Sequence, residues 1–355
     1  MRIRSMIWLR MSLTTVVAVF APALQATAAD SDVRTGQSIQ AAINAAAPGA
    51  TVRVHAGTFH ENLVIEKSLT LRGEHGTILI QPANPVATPC ASASLAHGIC
   101  VVGDPNARVS DVTVTGFTVH GFSGSGVFGY GTQRFHVFDV QATDNAGYGV
   151  ASFAGLRSRI HDNQVRNNGE AGIYLGDSPD ADAFITGNVA VANGFGLFLR
   201  DSTNVTAADN RATGNCIGIL AFNSGGGATV GGAYRIRDNY VRANDKWCPA
   251  GDAPPLSGIG IALAGTHDVV VSGNQVTDNR PGGPTFVSGG ITVFSSVPFG
   301  GADPAHNTVR NNTVLGNQQA DLYWDGTGSD NRMRGNRCRT SVPMGMCDRT
   351  NWSER

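Results

Sequence analysis

The chain has 355 residues; 15% are charged, 41% are hydrophobic, 45 are glycine, and the formal net charge is -1. Soluble domains usually carry about 25% charged residues and about 7% glycine, so this composition excludes coiled coils and long-helix proteins. The low net charge argues against a nucleic-acid partner, because such proteins carry a basic excess. The apolar content excludes wholesale disorder and leaves a compact, turn-rich protein.

The first 29 residues have the pattern of a secretory signal peptide. Three arginines precede an apolar run from about Met11 to Ala23, and small residues follow at positions 26–29. This order is that of a cleaved signal, and the run is too short to span a bilayer. No later stretch approaches the roughly 20 apolar residues of a membrane helix. The sequence therefore predicts a secreted or periplasmic protein with no membrane insertion after signal removal.

Export makes disulfides possible, and the six cysteines fall into three local pairs. Six cysteines allow 15 pairings, so proximity alone is weak support. The repeat described below strengthens the second pair. The predicted bridges are Cys90–Cys100, Cys216–Cys248 and Cys338–Cys347.

A short amphipathic helix is predicted at residues 38–47, ended by Pro48-Gly49. Such a helix would cap the open end of a repetitive core. We therefore divide the chain into a signal peptide (1–29), an N-terminal segment with the capping helix (30–49) and one repetitive domain (50–355).

Self-similarity is the strongest signal in the remaining chain. Asparagine recurs with a second asparagine five residues later, and most units continue as in Gly172-Ile173-Tyr174-Leu175. Short strands of period 2, joined by Gly/Asn turns and repeated every 22 residues or slightly more, predict a coil of parallel strands. The pairs are Asn163/Asn168, Asn188/Asn193, Asn210/Asn215, Asn239/Asn244, Asn274/Asn279 and Asn312/Asn317.

Two structural roles suit these asparagines. Asparagine tolerates the left-handed backbone conformation of tight bends better than other non-glycine residues. Stacked at the same place in each coil, its side chain also hydrogen-bonds to the coils above and below. A row of ligand donors is the alternative, and an internal ladder is the interpretation that we favour.

Four segments near the start of the repetitive region carry a family resemblance. They are Ser38-Ile39-Gln40-Ala41-Ala42-Ile43, Pro48-Gly49-Ala50-Thr51-Val52, Gly57-Thr58-Phe59-His60-Glu61-Asn62 and Lys67-Ser68-Leu69-Thr70-Leu71-Arg72-Gly73. These segments resemble the opening of right-handed parallel β-helix proteins of the pectin-lyase-like superfamily, many of which carry carbohydrate-binding or sugar-hydrolase repeats. The resemblance implies an all-β, single-domain solenoid of about ten coils. It leaves the reaction open, because the superfamily contains lyases, glycosidases, esterases, uronate epimerases and non-catalytic members.

Alternation along the glycine-apolar strand places every second side chain on the outer surface. The expected outer column is Phe128, Tyr130, Phe153, Tyr174, Phe198, Arg200, Leu220, Phe222, Phe294, Tyr323 and Asp325. An exposed apolar stripe of this length marks a contact surface, and flat rings suit the faces of sugars. The resemblance implies substrate binding on this strand. We predict a polysaccharide or other extended ligand here, with burial of the column under loops or chain ends as the alternative.

Four long insertions are expected to flank this column and form a cleft. Residues 245–257 and 280–289 leave from one edge of the strand, and residues 223–232 and 295–305 leave from the opposite edge. Loops on a rigid scaffold are where solenoids place function. The Cys216–Cys248 bridge would pin the first insertion beside the cleft.

Asp177 and Asp201 align at one corner of successive coils, so their carboxylates are expected about 5 Å apart, near the separation of a retaining glycosidase pair. Arg200 and Tyr174 belong to the outer column beside them. A uronate lyase or epimerase needs a cation or metal to neutralise the substrate carboxylate and a base for the proton α to it. We assign catalysis to these four residues, with calcium on the two aspartates as a hypothesis. Capping of a turn by aspartate is the alternative for each acid.

Other charged residues set limits on this assignment. Asp180 and Asp182 are a second candidate calcium site. A further outer row is basic and reads Arg159, His161, Arg235, Arg237, Arg310, Arg332 and Arg334. These residues would bind a polyanion or form a solvated face, and we favour the solvated face. The nine histidines show no metal-ligand spacing, and the active-site motifs of polygalacturonases, alginate epimerases and pectate lyases are absent.

The predicted function is that of an exported polysaccharide-active protein, a lyase or epimerase of an acidic, uronate-containing glycan. One alternative is a glycoside hydrolase that uses Asp177 and Asp201. Another is a non-catalytic extracellular β-helix that binds a glycan or a protein. Products formed from uronic-acid polymers would distinguish the three.

Overall fold

The computed structural model describes residues 30–90, 92, 94–226, 231–251 and 254–348, so the predicted signal peptide lies outside the described residues. Within them the chain winds into a parallel β-helix with three faces, which confirms the predicted all-β fold class. The third face has eleven strands in the described chain, close to the expected ten coils. The first strand, Ser31–Val33, pairs with Thr51–Val54, so the sheet begins ahead of the helix.

The strands of the three faces stack in parallel register, and two long strands turn the corner from the first face to the second. The first face contains Ser31–Val33, Thr51–Val54, the start of Leu69–Ile80, the start of Val112–His120, His136–Phe138, Arg159–His161, Ala183–Thr186, Val205–Ala208, Arg235–Arg237, Val270–Ser272, Thr308–Arg310 and Arg332–Arg334. The second face contains Gly57–His60, the ends of the two long strands, Gln141–Thr143, Gln164–Arg166, Val189–Val191, Arg211–Thr213, Tyr240–Arg242, Gln275–Thr277 and Thr313–Leu315. The third face contains Leu63–Ile65, Ile99–Val102, Val127–Tyr130, Val150–Phe153, Ala171–Gly176, Phe195–Arg200, Ile217–Phe222, Ile259–Ala264, Gly289–Phe294, Leu322–Trp324 and Ser341–Val342. A small pair at a corner joins Val109–Ser110 to Thr132–Gln133, and a 3-10 turn spans Val297–Phe299.

One α-helix, Ile39–Ala45, covers the N-terminal end of the core at the predicted place. Its first turn is satisfied by Glu61, whose carboxylate accepts hydrogen bonds from the Ile39 N–H and the Ser38 hydroxyl, each at 2.8 Å. An anionic acceptor at this end also opposes the positive end of the helix dipole. Ile39 and Ile43 are buried against the coils, so the apolar side of the helix closes the solenoid.

Two columns of buried asparagines run through the interior and confirm the ladder interpretation. In each column the side-chain amide of one coil donates to the side-chain oxygen of the next at 2.7–3.2 Å. The same oxygen also accepts a main-chain N–H, as Asn188 does from Asn163 at 3.0 Å. These amides therefore satisfy the corners of the coils, where strand pairing stops.

The left-handed bend falls one residue earlier than expected. Asp162 and Asp209 directly precede Asn163 and Asn210 and have φ angles of 54° and 58°. The ladder asparagines of the described chain are not among the residues with positive φ. The expectation that asparagine itself makes the bend is therefore wrong. The preceding residue makes it, and the asparagine side chain then points into the core.

All three predicted disulfides are present. Their Cα–Cα distances are 6.1 Å for Cys90–Cys100, 5.9 Å for Cys216–Cys248 and 5.1 Å for Cys338–Cys347. Such bridges are typical of proteins outside the cytoplasm. In the part of the chain that the structure describes, the helix is too short and polar to cross a membrane.

Candidate functional site

The outer surface of the third face carries an aromatic ladder that continues from coil to coil. Parallel register places Phe128, Tyr174, Phe198 and Tyr323 in one column, and Tyr130, Phe153, Arg200, Phe222 and Phe294 in the neighbouring column. This register agrees with the predicted outer column. Successive ring centroids are 4.3–6.3 Å apart along His97, Phe128, Phe153, Tyr174, Phe198, Phe222, Phe299, Phe286 and Phe294.

The C-terminal half of the ladder is covered, and this corrects the expected cleft. Phe286, from the insertion at 280–289, and Phe299, from the insertion at 295–305, meet across the strand with centroids 5.6 Å apart. Phe294 lies beneath them, 6.1 Å from Phe286, and is only 8% exposed. The insertions close over the column because their rings find apolar partners there and on each other. We call this part the roofed half.

The ladder is more open ahead of the roof, in a region that we call the open window. It is bounded by Tyr130, Tyr148, Phe153, Asp177 and Arg200. Tyr130 is 40% exposed, and the other two rings are half-buried. Half-exposed rings on a rigid sheet offer flat apolar surface to a ligand at little conformational cost.

Tyr148 is a member of the window that the sequence pattern did not identify. Its ring centroid lies 4.8 Å from that of Tyr174 and 5.9 Å from that of Phe153. Burial, together with the nearby Glu170 carboxylate, raises the pKa of Tyr148 to about 12. It precedes Gly149 of its unit and therefore falls outside the alternating residues that we counted.

Tyr174 is folded along its own strand towards the corner of the coil. A Cβ atom at position 176 would lie 2.0 Å from the Tyr174 hydroxyl oxygen, so only Gly176 leaves room for the ring. The hydroxyl is buried and has no hydrogen-bond partner within the described residues. Burial and then the negative charge of Asp177 raise the pKa of Tyr174, which keeps the phenol protonated.

Asp201 is fully buried, and both of its oxygens are occupied. Oδ1 accepts the Ser224 N–H at 2.8 Å, and Oδ2 accepts the Ser224 hydroxyl and Nε of Arg200, the latter at 3.1 Å. Nη2 of Arg200 donates to the Ser224 hydroxyl oxygen at 3.1 Å. Asp201 therefore positions the guanidinium and the next loop. This contradicts the expectation of two accessible carboxylates side by side.

Asp177 occupies the same corner one coil earlier and is exposed. Its N–H donates to the Arg200 carbonyl at 3.2 Å, and its φ angle is 54°. Partial burial raises the pKa of Asp177; Arg200 opposes this rise, Asp201 adds to it, and the Tyr174 hydroxyl opposes it. The corner thus combines an accessible carboxylate of raised basicity with a guanidinium held from behind.

The remaining members of the predicted column lie at the C-terminal end of the ladder. Tyr323 is half-buried against the outer apolar cluster. Asp325 caps a turn, where it accepts hydrogen bonds from the N–H and hydroxyl of Thr327 at 2.9 and 2.6 Å. Neither residue contributes to the open window.

The calcium hypotheses gain no ligand cluster from the structure. Asp180 accepts a hydrogen bond from Asn204 at 2.6 Å, and Asp182 lies 3.6 Å from Arg157. Among the described residues, no group of three or more His, Cys, Asp or Glu side chains is arranged to hold a metal ion. Calcium binding at these aspartates, or at Asp177 and Asp201, stays a prediction.

A family model for the right-handed β-helix region matches residues 90–233 and 180–298, which together span more than half of the chain. The chain therefore belongs to the right-handed β-helix family, in agreement with the pectin-lyase-like resemblance of its sequence. No curated protein matches the chain in sequence.

Several solved structures share the fold. The A-module of the mannuronan C-5 epimerase AlgE4 from Azotobacter vinelandii is 18% identical with a TM-score of 0.56, over 85% of this chain and 94% of that one. The family 28 exopolygalacturonase of Yersinia enterocolitica is 14% identical with a TM-score of 0.59, over 89% and 78%. A double mutant of the periplasmic alginate epimerase AlgG is 15% identical with a TM-score of 0.52, over 87% and 83%. At these identities the likeness shows the fold alone.

Proposed function

We propose that this protein binds an acidic, uronate-containing polysaccharide across the open window and removes the proton α to a uronate carboxylate at the Asp177–Arg200 corner. One observation carries the proposal: an exposed carboxylate of raised pKa stands beside a guanidinium that a buried aspartate holds in place. Fold neighbours that are named as alginate epimerases and as a polygalacturonase act on uronate polymers and support this substrate class. The three disulfides support a secreted or periplasmic location.

Arg200 would receive the substrate carboxylate. Its hydrogen bonds to described residues use Nε and Nη2, which leaves Nη1 for a ligand. Removal of the α proton moves negative charge onto the substrate carboxylate, and a preorganised guanidinium stabilises that charge. Asp201 and Ser224 keep it in place, so little reorganisation is needed when the charge develops.

Asp177 would accept the proton. A carboxylate with a pKa above its ordinary range is a stronger base than a free aspartate and still ionises below neutral pH. Tyr174 is a positioning residue in this scheme, because its hydroxyl is buried and does not reach the window surface.

A single exposed acid–base group favours a lyase over an epimerase. In elimination, the C5–H and C4–O4 bonds break, a C4=C5 double bond forms, and protonated Asp177 returns its proton to the leaving oxygen. Epimerisation needs a second proton donor on the opposite face of the ring. Among the described residues of this corner, Asp177 is the acid–base group that reaches solvent.

The test is incubation of the purified protein with alginate, polygalacturonate and glucuronan, followed by ultraviolet absorbance of the unsaturated product. Wild type should form that product and Asp177→Asn should not. Asp209→Asn is the matched control, because Asp209 is also exposed with positive φ but lies on another face. Hydrogen exchange at C5 without absorbance would indicate an epimerase, new reducing ends without absorbance a hydrolase, and binding without product would contradict catalysis.

A further inference from the structure

Two histidines on the first face, far from the open window in the coil cross-section, point at each other. His136 and His161 lie on successive coils, with Nε2 atoms 3.2 Å apart and ring centroids 5.1 Å apart. In the strand register His136 pairs with Arg159, and Phe138 pairs with His161, so the two histidines are diagonal neighbours. Their separation of 25 residues equals one turn of the coil.

The neighbours of His161 fix its orientation and its tautomer. Nδ1 lies 2.9 Å from Oδ2 of Asp162, so the Nδ1–H donates to that carboxylate and Nε2 keeps a lone pair. The ring also stacks on Phe138, with centroids 5.0 Å apart and planes within 2°. A histidine whose second nitrogen donates to a carboxylate has the arrangement found around metal ligands, where the carboxylate orients the ring and raises its basicity.

His136 is held in the neutral form that a metal ligand requires. Burial, the adjacent His161 and then Arg159 lower its pKa. Its ring lines a surface concavity of about 500 Å³ that Asp111, Arg134 and Arg159 also border, so solvent reaches the pair. The guanidinium of Arg159 lies 5.1 Å over the ring of Phe184, on the following coil, and not over the imidazoles.

We propose that His136 and His161 form a two-imidazole site for a divalent transition-metal ion such as Zn²⁺, with water in the remaining positions. Two nitrogens bound at about 2.0–2.1 Å and a tetrahedral angle stand about 3.3 Å apart, and the Nε2 atoms are already at 3.2 Å. Imidazole nitrogen selects zinc, copper and nickel over calcium and magnesium, which prefer oxygen. Neither the proposed lyase activity nor the open window is needed for this site.

The test uses full-length exported protein purified without a histidine tag, titrated calorimetrically with Zn²⁺ and, separately, with Cu²⁺ for electron paramagnetic resonance. One zinc site is expected, together with a copper spectrum that shows two nitrogen ligands. His136→Gln and His161→Gln should each remove one nitrogen from that spectrum and abolish tight zinc binding. Asp162→Asn keeps both imidazoles and should weaken zinc binding about 10–100-fold.

The control is His120→Gln, because His120 is also an exposed histidine 3.3 Å from an aspartate, Asp144. Its removal should leave zinc binding unchanged. Melting curves identify any variant that has lost the fold, and the Asp162→Asn result then decides for the others. Absence of zinc binding, or zinc binding that survives both glutamine variants, would overturn the proposal.

Discussion

The open window and the roofed half belong to one aromatic ladder, yet they differ in what lies above the rings. In the roofed half, Phe286 and Phe299 cover Phe294, which is 8% exposed. In the open window, Tyr130 is 40% exposed and the corner beside it carries Asp177 and Arg200. The same strand pattern therefore serves as a second apolar core in one half and as a candidate binding surface in the other.

The difference teaches that an outward position on a solenoid is not by itself an exposed one. Long insertions bring their own apolar residues, and those residues bury whatever ring they meet. Coils without long insertions keep their outer residues open to ligands. Variants in the two halves should therefore separate effects on activity from effects on stability.

The largest expected effect is on catalysis in the open window. Arg200→Gln removes the guanidinium that stabilises the developing charge, so kcat/KM on a uronate polymer should fall roughly 10²–10³-fold. Arg200→Lys should restore part of the activity because it keeps the charge. Steady-state kinetics check this, and unchanged kcat/KM in Arg200→Gln would remove Arg200 from the mechanism.

The next effect is on stability in the roofed half. Phe294→Ala should lower the free energy of unfolding by about 3–5 kcal/mol, because it empties a buried site between the sheet and the roof. Glycan affinity should not change. Denaturant unfolding and a binding titration check both halves of the statement. A loss of affinity without a loss of stability would mean that the roof is itself a ligand platform.

Removal of the bridge behind the roof should have a smaller effect. Replacing Cys216 and Cys248 together by alanine opens a link that spans 32 residues and should cost about 2–4 kcal/mol of stability. The loop at 245–257 carries Trp247, whose indole N–H donates to the Pro284 carbonyl at 3.1 Å, so the neighbouring insertion should loosen with it. Limited proteolysis should then cut these two insertions first, and cleavage elsewhere would contradict the account.

A modest effect on binding is expected from the most exposed ring of the window. Tyr130→Ala should weaken glycan binding by about 1 kcal/mol or more, roughly fivefold, with little change in stability. Affinity electrophoresis in polyuronate gels measures the change. Equal binding by wild type and variant would exclude ring stacking at this position.

The smallest effect concerns the pH dependence of stability. The pKa of Asp177 is raised in the folded protein, so the native state binds more protons than the unfolded state between the two pKa values. Stability should therefore fall as pH rises through that window. Asp177→Asn lacks this decline, so its melting temperature should gain on that of wild type as pH increases. Parallel pH profiles of the two proteins would contradict the raised pKa.

Most of the fold could be predicted from the sequence because a repeat reports its own geometry. The asparagine spacing gave the ladders, and the alternation after Gly172 gave the inward Ile173 and the outward Tyr174. The bend was assigned to the wrong residue, because asparagine suits both the bend and the ladder and only coordinates distinguish position 162 from 163.

The site was less predictable, because its members depend on contacts between coils. Asp177 and Asp201 look equivalent in sequence, yet Ser224 and Arg200 bury only the second of them. The roof could not be foreseen because Phe286 and Phe299 lie in loops without periodicity. The His136–His161 pair escaped a search for short metal motifs because its spacing is a whole coil.

A crystal structure of the protein soaked with a uronate oligosaccharide tests the central claim most directly. The account predicts sugar rings over Tyr130 and Phe153, with one uronate carboxylate on Arg200 and its C5 hydrogen facing Asp177. An oligosaccharide bound over Phe286 and Phe299, or on the first face, would contradict it.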